Sequence, residues 1–464
     1  MTTKLENERA QRIIANVRPG RWLRSQPEPA QALADRMRYH MTPGASVAVI
    51  DNGKIDWAAG FGVRDLRTSE LVTTETLFQA ASISKPVTAL AVLRLVDAGE
   101  IDLDTDVNRY LKSWRVPKNG DWQPKITLRQ LLSHSAGTTV HGFPGYPIAA
   151  PIPTLAQILD GVPPANTGPV RVNILPGAQF RYSGGGTTIV QQLLIDHLGK
   201  PFPAIMRELV LDPLGMNHST YEMPLPENKA QLAASAHSSP TAPVEGRWHL
   251  YPELAAAALW TTPTDLARFA IAIQLSLAGK PNTILTKAMV EQMVSPTADD
   301  HMGIGFFLEG KDDAARFGHG GSNHGFICEM KAYQRRGQGA VVMTNSNHGY
   351  GVVSELTQAI AEEYGWPGYA PQEPKVIDLG PEILAGYIGR YELKPGRDLL
   401  IAHGPEGLQL ESPGQEPIPL YAESQTKFFA RALDLEIVFE NGGKGEVEKL
   451  VLHQGWAQHN AKKV

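Results

Sequence analysis

Val87, Leu90, Ala91, Val92, Leu93, Leu95 and Val96 are apolar on nearly every face of the helix they predict, so that helix runs through the protein interior. Pro86 fits only near a helix start, which fixes where the rod begins. Upstream, ASVAVIDNGKIDWAAGFGVRD (45–65) alternates as two strands around an Asn52-Gly53 turn, and residues 1–40 read as a helix-rich lead-in. Helical periodicity returns in ITLRQLLSHSAG (126–137), TTIVQQLLIDHLGK (187–200) and TPTDLARFAIAIQLSLAGK (262–280). Gly99 and Gly199 stop two helices, and Asp265 and Gly279 bracket another. From residue 304 the pattern reverts to strands, GIGFFLEG, FICEMKAY and GAVVMTNSN, the last two joined by QRRGQ.

Strands, an inserted helical block, then strands from the far end describe one α/β (α+β) layered domain whose antiparallel sheet is closed by both chain halves and flanked by helices. It spans residues 1–365. WPGYAPQEPK opens a proline-rich linker, 366–380. Residues 381–464 then offer six or more short alternating strands in about 85 residues, separated by Gly and Asn turns such as ENGGKG, which suggests a small antiparallel barrel or sandwich.

Composition narrows the class. Of 464 residues, 42% are hydrophobic and 20% charged, ordinary for a globular protein. The net charge of −5 supplies no basic field for nucleic acid or anionic membrane, so a small, roughly neutral substrate is the simpler expectation. Cys328, the only cysteine, excludes an intramolecular disulfide and reads as a buried structural thiol. The first twenty residues hold no apolar signal-peptide core, and no window approaches a membrane span. As given, the chain reads as cytoplasmic, or as the trimmed mature form of a periplasmic or secreted protein.

The helix start carries the candidate chemistry. In SISK, Ser82 and Lys85 stand three residues apart, which places both on one face of a helix. Desolvation there lowers the lysine pKa and makes it a proton acceptor for an otherwise weak nucleophile. The same spacing recurs at Ser424 and Lys427, but a strand sends i and i+3 to opposite faces. In FRYSGGG, Tyr182 precedes three glycines that let backbone approach a ligand, and a tyrosine relays a proton when cations lower its pKa. GHGGSNHG leads into the FICEMKAY strand. There His319 can donate a hydrogen bond or titrate, and Gly320 and Gly321 free the Ser322 N–H to face a substrate oxygen.

The ordered set SISK, YSG and HGG, with TLRQLLSHSAG, DPLGM and WTTPTDLARF around them, resembles the serine β-lactamase and penicillin-binding-protein superfamily over roughly residues 40–365. Within it the chain is most similar to the group of class C β-lactamases, D-stereospecific peptidases and β-lactamase-like esterases. The tail, with YIGRYEL (387–393), resembles the lipocalin-like domain appended to such hydrolases. The resemblance implies that Ser82 is the acylating nucleophile, Lys85 its base or base partner, Tyr182 the second proton-transfer group and His319 the first residue of the third motif. It implies an oxyanion hole from the Ser82 and Ser322 N–H groups. Two positions depart from the family. Gly184 replaces an amide that would contact a substrate side chain, and Gly320 supplies no hydroxyl for a substrate carboxylate.

The leading reading is a serine hydrolase that forms an acyl-enzyme at Ser82, with carboxylesterase activity on small esters or amides. The alternatives are a β-lactamase or D-amino-acid-specific peptidase on the same fold, and a non-catalytic binding protein that keeps the scaffold. No Gly-x-Ser-x-Gly elbow supports an α/β-hydrolase. His301, His319, His324 and His348 lack metal-ligand spacing, so neither a metal nor another cofactor is expected. His134 reads as a loop organiser. Oligomeric state is left open by the sequence.

Overall fold

The computed structural model describes residues 6–18, 30–239, 241–280, 284–369, 375–394, 396–405, 407–412, 416–431, 435–443, 446–454 and 457–464. β1 (Gly44–Asp51) and β2 (Lys54–Gly62) pair antiparallel around Asn52 and Gly53, both at positive φ as a tight hairpin turn requires. β3 (Phe78–Gln79) and β4 (Trp260–Thr261) form a separate two-stranded sheet. β5 (Phe307–Glu309), β6 (Arg316–Asn323), β7 (Phe326–Tyr333) and β8 (Gly339–Thr344) complete the main sheet, in the order β2-β1-β8-β7-β6-β5. Val47 of β1 lies opposite Val342 of β8, so the two chain halves meet in the middle of the sheet.

The apolar run forms a helix over Ser84–Asp97, preceded by a 3-10 turn at Ala81–Ile83, and Leu90, Ala91, Val92 and Leu93 are fully enclosed. Phe78, Ile189, Phe269, Phe306 and Met343 share its core. Gly99, Gly199 and Gly279 follow three helix ends with positive φ. At the Pro263–Leu277 helix the start signal lies elsewhere than expected: Thr262 caps it, accepting the Asp265 N–H. Asp265 instead turns inward, where it accepts from His218 N (3.0 Å) and Ser219 Oγ (2.9 Å).

Three further expectations change. Of GIGFFLEG only Phe307–Glu309 is strand. GHGGSNHG is itself the body of β6 rather than a glycine-rich lead into a strand. The three glycines after Tyr182 do not open a path to a ligand. They form the first turn of a helix over Gly184–Leu198, capped by Ser183 Oγ, which accepts from Gly186 N (3.0 Å).

β9 (Gly389–Lys394), β10 (Arg397–Gly404), β11 (Gly407–Glu411), β12 (Ile418–Ala422), β13 (Lys427–Ala430), β14 (Leu435–Asn441), β15 (Val447–Gln454) and β16 (Ala457–Lys463) form a closed antiparallel barrel. Each strand pairs with the next, and β16 closes on β9. Tyr391, Ile401, Phe428, Phe439 and Leu450 fill the interior. Closure leaves no free edge, which settles the choice between barrel and sandwich. The chain divides into two compact units, one holding the six-stranded sheet and most of the helices, the other the barrel together with Ser354–Glu363 of the helix Tyr350–Glu363. The lead-in contributes helices Glu8–Ala15 and Leu33–Tyr39; residues 1–5, 19–29 and, in the proline-rich boundary, 370–374 lie outside the described residues. Among the described residues no helix is long and apolar enough to cross a membrane.

Candidate active site

β3 leads into a kink. Ala81 has φ 47, a left-handed conformation that costs energy for a residue with a Cβ. The neighbouring packing holds it there: Ala80 N donates to Leu259 O (2.8 Å), and Ser84 Oγ donates to Ala81 O (2.5 Å) while accepting from Leu259 N (3.0 Å). The kink leaves Ser82 half-exposed at the mouth of a buried helix, while Lys85, one turn in, is only 5% exposed.

Lys85 Nζ lies 2.9 Å from Ser82 Oγ and donates to Ala256 O, also at 2.9 Å. Burial pushes the Lys85 ammonium down to about 7, so near neutral pH a large share of it is free amine. The second Ser-x-x-Lys is built differently. Ser424 sits in a turn, not a strand, and its Oγ accepts the Lys427 N–H (3.0 Å). The Lys427 ammonium pairs with Glu423 (2.7 Å) and Glu436 (3.3 Å), and those carboxylates raise its pKa.

Tyr182 stands beside Ser82, whose hydroxyl favours its ionised form, and Lys85 Nζ is 5.0 Å from the centre of its ring. The expected lowering of the tyrosine pKa does not occur: burial pushes the phenol up, and the Ser82 hydroxyl opposes this only in part. Its ring packs against His134 (4.2 Å between centroids), His141 (5.0 Å), His319 (6.1 Å) and Phe307 (6.2 Å). His134 Nδ1 accepts the Ser183 N–H (3.2 Å) and His134 O accepts from Arg181 N (2.7 Å), so this residue holds the segment carrying Tyr182 on both sides.

His319 is 3% exposed, and its Nδ1 is 2.6 Å from Gly320 O. A carbonyl only accepts, so Nδ1 carries the proton and Nε2, buried without a protein partner, is a bare acceptor. Burial and the nearby Lys85 push His319 down to about 3; it is neutral at ordinary pH and does not titrate there, contrary to the expectation. Along β6, Gly321 pairs with Cys328 and Ser322 with Ile327 of β7 across the two-residue turn His324-Gly325. Alternation of the antiparallel ladder turns the Ser322 N–H away from β7, toward the other edge of the strand. A Cβ on Gly321 would lie 2.3 Å from Ala80 O, so glycine here lets β6 press against the backbone just before Ser82.

The sequence profile of the Beta-lactamase family matches residues 30–364. The chain belongs to that family. Penicillin-binding protein 4 of Amycolatopsis lactamdurans is 27% identical over 381 residues, covering 77% of this chain and 95% of the relative. Esterase EstB of Burkholderia gladioli is 25% identical over 368 residues, covering 70% and 91%. Among solved structures, the octameric penicillin-binding protein homologue from Pyrococcus abyssi superposes with a TM-score of 0.60 at 20% identity, covering 92% of this chain and 98% of that one. That likeness shows a shared fold across sheet, helices and barrel.

In this Beta-lactamase-family chain Ser82, Lys85, Tyr182 and His319 converge, and β6 brings Gly320, Gly321 and Ser322 alongside. Gly184 is not a free binding group. Its N–H donates to His141 O (2.9 Å), and a Cβ there would lie 2.8 Å from Phe143 Cε2. Gly185 and Gly186 likewise make room for Thr139 O and Thr138 Oγ1. Residues without a sequence signal also frame the site. Ala256 contributes only a carbonyl, and Phe143 reaches the site from a loop. Asn323 donates to Gln79 Oε1 (2.7 Å) and Ala257 O (3.0 Å), tying β6, β3 and the Leu254–Ala257 helix together. Glu253 at that helix start is fully enclosed, and burial raises its carboxyl to about 8. Cys328 is buried, its Sγ 3.2 Å from Ala80 O, and burial pushes the thiol up and away from thiolate chemistry.

Proposed function

We propose that the chain is a serine hydrolase that acts through an acyl-enzyme at Ser82, with small carboxylic esters as its main substrates and amides as a slower class. The observation that carries this reading is the 2.9 Å contact between Ser82 Oγ and a lysine whose burial brings it down to about 7. Neutral Lys85 takes the Ser82 proton as Oγ attacks the carbonyl carbon. The carbonyl oxygen gains negative charge, and the Ser82 and Ser322 N–H groups stabilise it. Collapse breaks the bond to the leaving oxygen, which receives a proton through Lys85 or Tyr182. Water then attacks the ester formed at Ser82 by the reverse proton route, releasing the acid and restoring Ser82 O–H. His319, locked as a neutral acceptor, orders the wall beside Tyr182 without exchanging protons.

A β-lactam or D-peptide substrate is the second reading, favoured by relatives named penicillin-binding protein. The lack of a side-chain amide at Gly184 and of a hydroxyl at Gly320 counts against it. A fluorophosphonate probe is expected to label the wild type, while Ser82→Ala escapes labelling and loses p-nitrophenyl ester hydrolysis by at least about 10³-fold. Unchanged turnover in that variant would refute the nucleophile. Parallel kcat/KM values for a short ester, a chromogenic cephalosporin and a D-aminoacyl anilide separate the readings; the cephalosporin leading by a wide margin would overturn the ester assignment.

A further inference from the structure

The space beside Gly184 is not empty. The Phe143 ring occupies the place that any side chain at 184 would need, 2.8 Å from a Cβ built there. Phe143 and Leu254, both half-buried, pack on Tyr251, Ala257 and Ala258 as a small apolar cluster, which Leu254 joins to the main core. Three backbone connections place this cluster against the reacting groups. Gly184 follows Tyr182 by two residues and is held by the carbonyl of His141, in the same loop as Phe143. Ala257 follows Ala256, whose carbonyl holds Lys85, and Ala257 O also accepts from Asn323, next to Ser322. Tyr251 OH accepts from His324 N (2.9 Å), two residues beyond Ser322. The cluster is thus bounded by the segments that carry Tyr182 and Ser322 and by the helix whose Ala256 carbonyl holds Lys85.

Accepting the acyl-enzyme reading on which this rests, we infer that Phe143 determines specificity: its ring is the wall against which the acyl chain of the substrate lies, and the favoured acyl group is an unbranched apolar chain. The ring cannot accept or donate to an amide in the acyl group, so an amide placed there loses its water without a partner. An apolar chain gains by leaving water at the same surface.

The test compares p-nitrophenyl acetate, butyrate, hexanoate and N-acetylglycinate in the full-length chain. Wild-type kcat/KM is expected to rise about tenfold from acetate to butyrate, two buried methylenes. Hexanoate is expected to exceed the amide-bearing ester by tenfold or more. Phe143→Ser should flatten the butyrate-to-acetate ratio to near one, and Phe143→Leu should keep most of it. The p-nitrophenolate burst per mole counts folded, acylating protein in each preparation, so a poorly folding variant does not distort the ratios. A wild-type profile flat across chain length, or an unchanged ratio in Phe143→Ser, would overturn the inference while fluorophosphonate labelling of Ser82 persisted. Loss of labelling at Ser82 itself would instead sink the reading beneath it.

Discussion

Lys85 changes role with pH because its charged form is the one that burial penalises. Below about 7 it is an ammonium that holds Ser82 Oγ as a donor; above, it is an amine able to take the proton. The kcat/KM of ester hydrolysis should therefore fall about tenfold per pH unit below 7 and level off above it, with no limb from His319, which is neutral throughout. The midpoint belongs to Lys85, because burial pushes the Tyr182 phenol up and out of this range. Stability follows the same group: the unfolded chain holds the Lys85 proton up to its ordinary pKa of 10.5 while the folded chain releases it near 7. Its contribution therefore rises with pH between those values and is lost as pH falls through 7. A flat profile from pH 5 to 8 would contradict the assignment. At this scale the sequence was informative where chemistry depends on spacing: Ser82 and Lys85 are three apart, and Tyr182 precedes the glycines. It was silent on Phe143, Ala256 and Glu253, whose places beside Gly184, at Lys85 and at a buried helix start are set by the tertiary fold rather than by local spacing. The pKa of Tyr182 was misjudged because burial pushes the phenol up more than Ser82 lowers it, and no local pattern reports that burial.

Among the elements, β6 was the hardest to read. Its alternation is present, with His319, Gly321 and Asn323 buried between the more open Gly320 and Ser322, but glycine and polar residues hide a period that apolar residues would have announced. The reason for the glycine is contact with the Ser82 kink: a Cβ at Gly321 would stand 2.3 Å from Ala80 O and 2.5 Å from Cys328 Sγ. Gly321→Ala must therefore push β6 off the Ala80–Ser82 backbone and misplace the Ser322 N–H. Ester kcat/KM is expected to drop about 10²-fold or more, the scale of losing one oxyanion donor, with fluorophosphonate labelling slowed in parallel. Wild-type rates in this variant would show that β6 takes no part in oxyanion binding. The long helices, by contrast, announced themselves: the Ser84–Asp97 rod has apolar residues all around, and Gly199 ends another where φ turns positive. Asp265 was misread as a cap because Thr262 and Asp265 are both good capping residues, and only packing shows which one faces the helix start.

Two units with separate cores make up the whole molecule. The meeting of both chain halves in one sheet was legible from the return of strand periodicity after residue 304, and the tail from its alternation. The barrel itself was expected from the resemblance of the tail to a lipocalin-like domain, and its closure agrees; the number of its strands was not legible, because pairing partners are set by register rather than by composition. Phe439 is 2% exposed and packs with Tyr387 and Phe428 inside the barrel. Phe439→Ala is expected to cost about 3–5 kcal/mol of barrel stability, read from the urea midpoint of strand-derived circular dichroism. An unshifted midpoint would show that the barrel core does not depend on this ring.

The measurement closest to the central claim is peptide mass spectrometry of the protein quenched in acid during turnover of a slow p-nitrophenyl ester. One added acyl group is expected, carried by the Ser82 oxygen and absent from Ser82→Ala. An acyl group on any other side chain, or continued turnover with none on Ser82, would contradict the acyl-enzyme at Ser82.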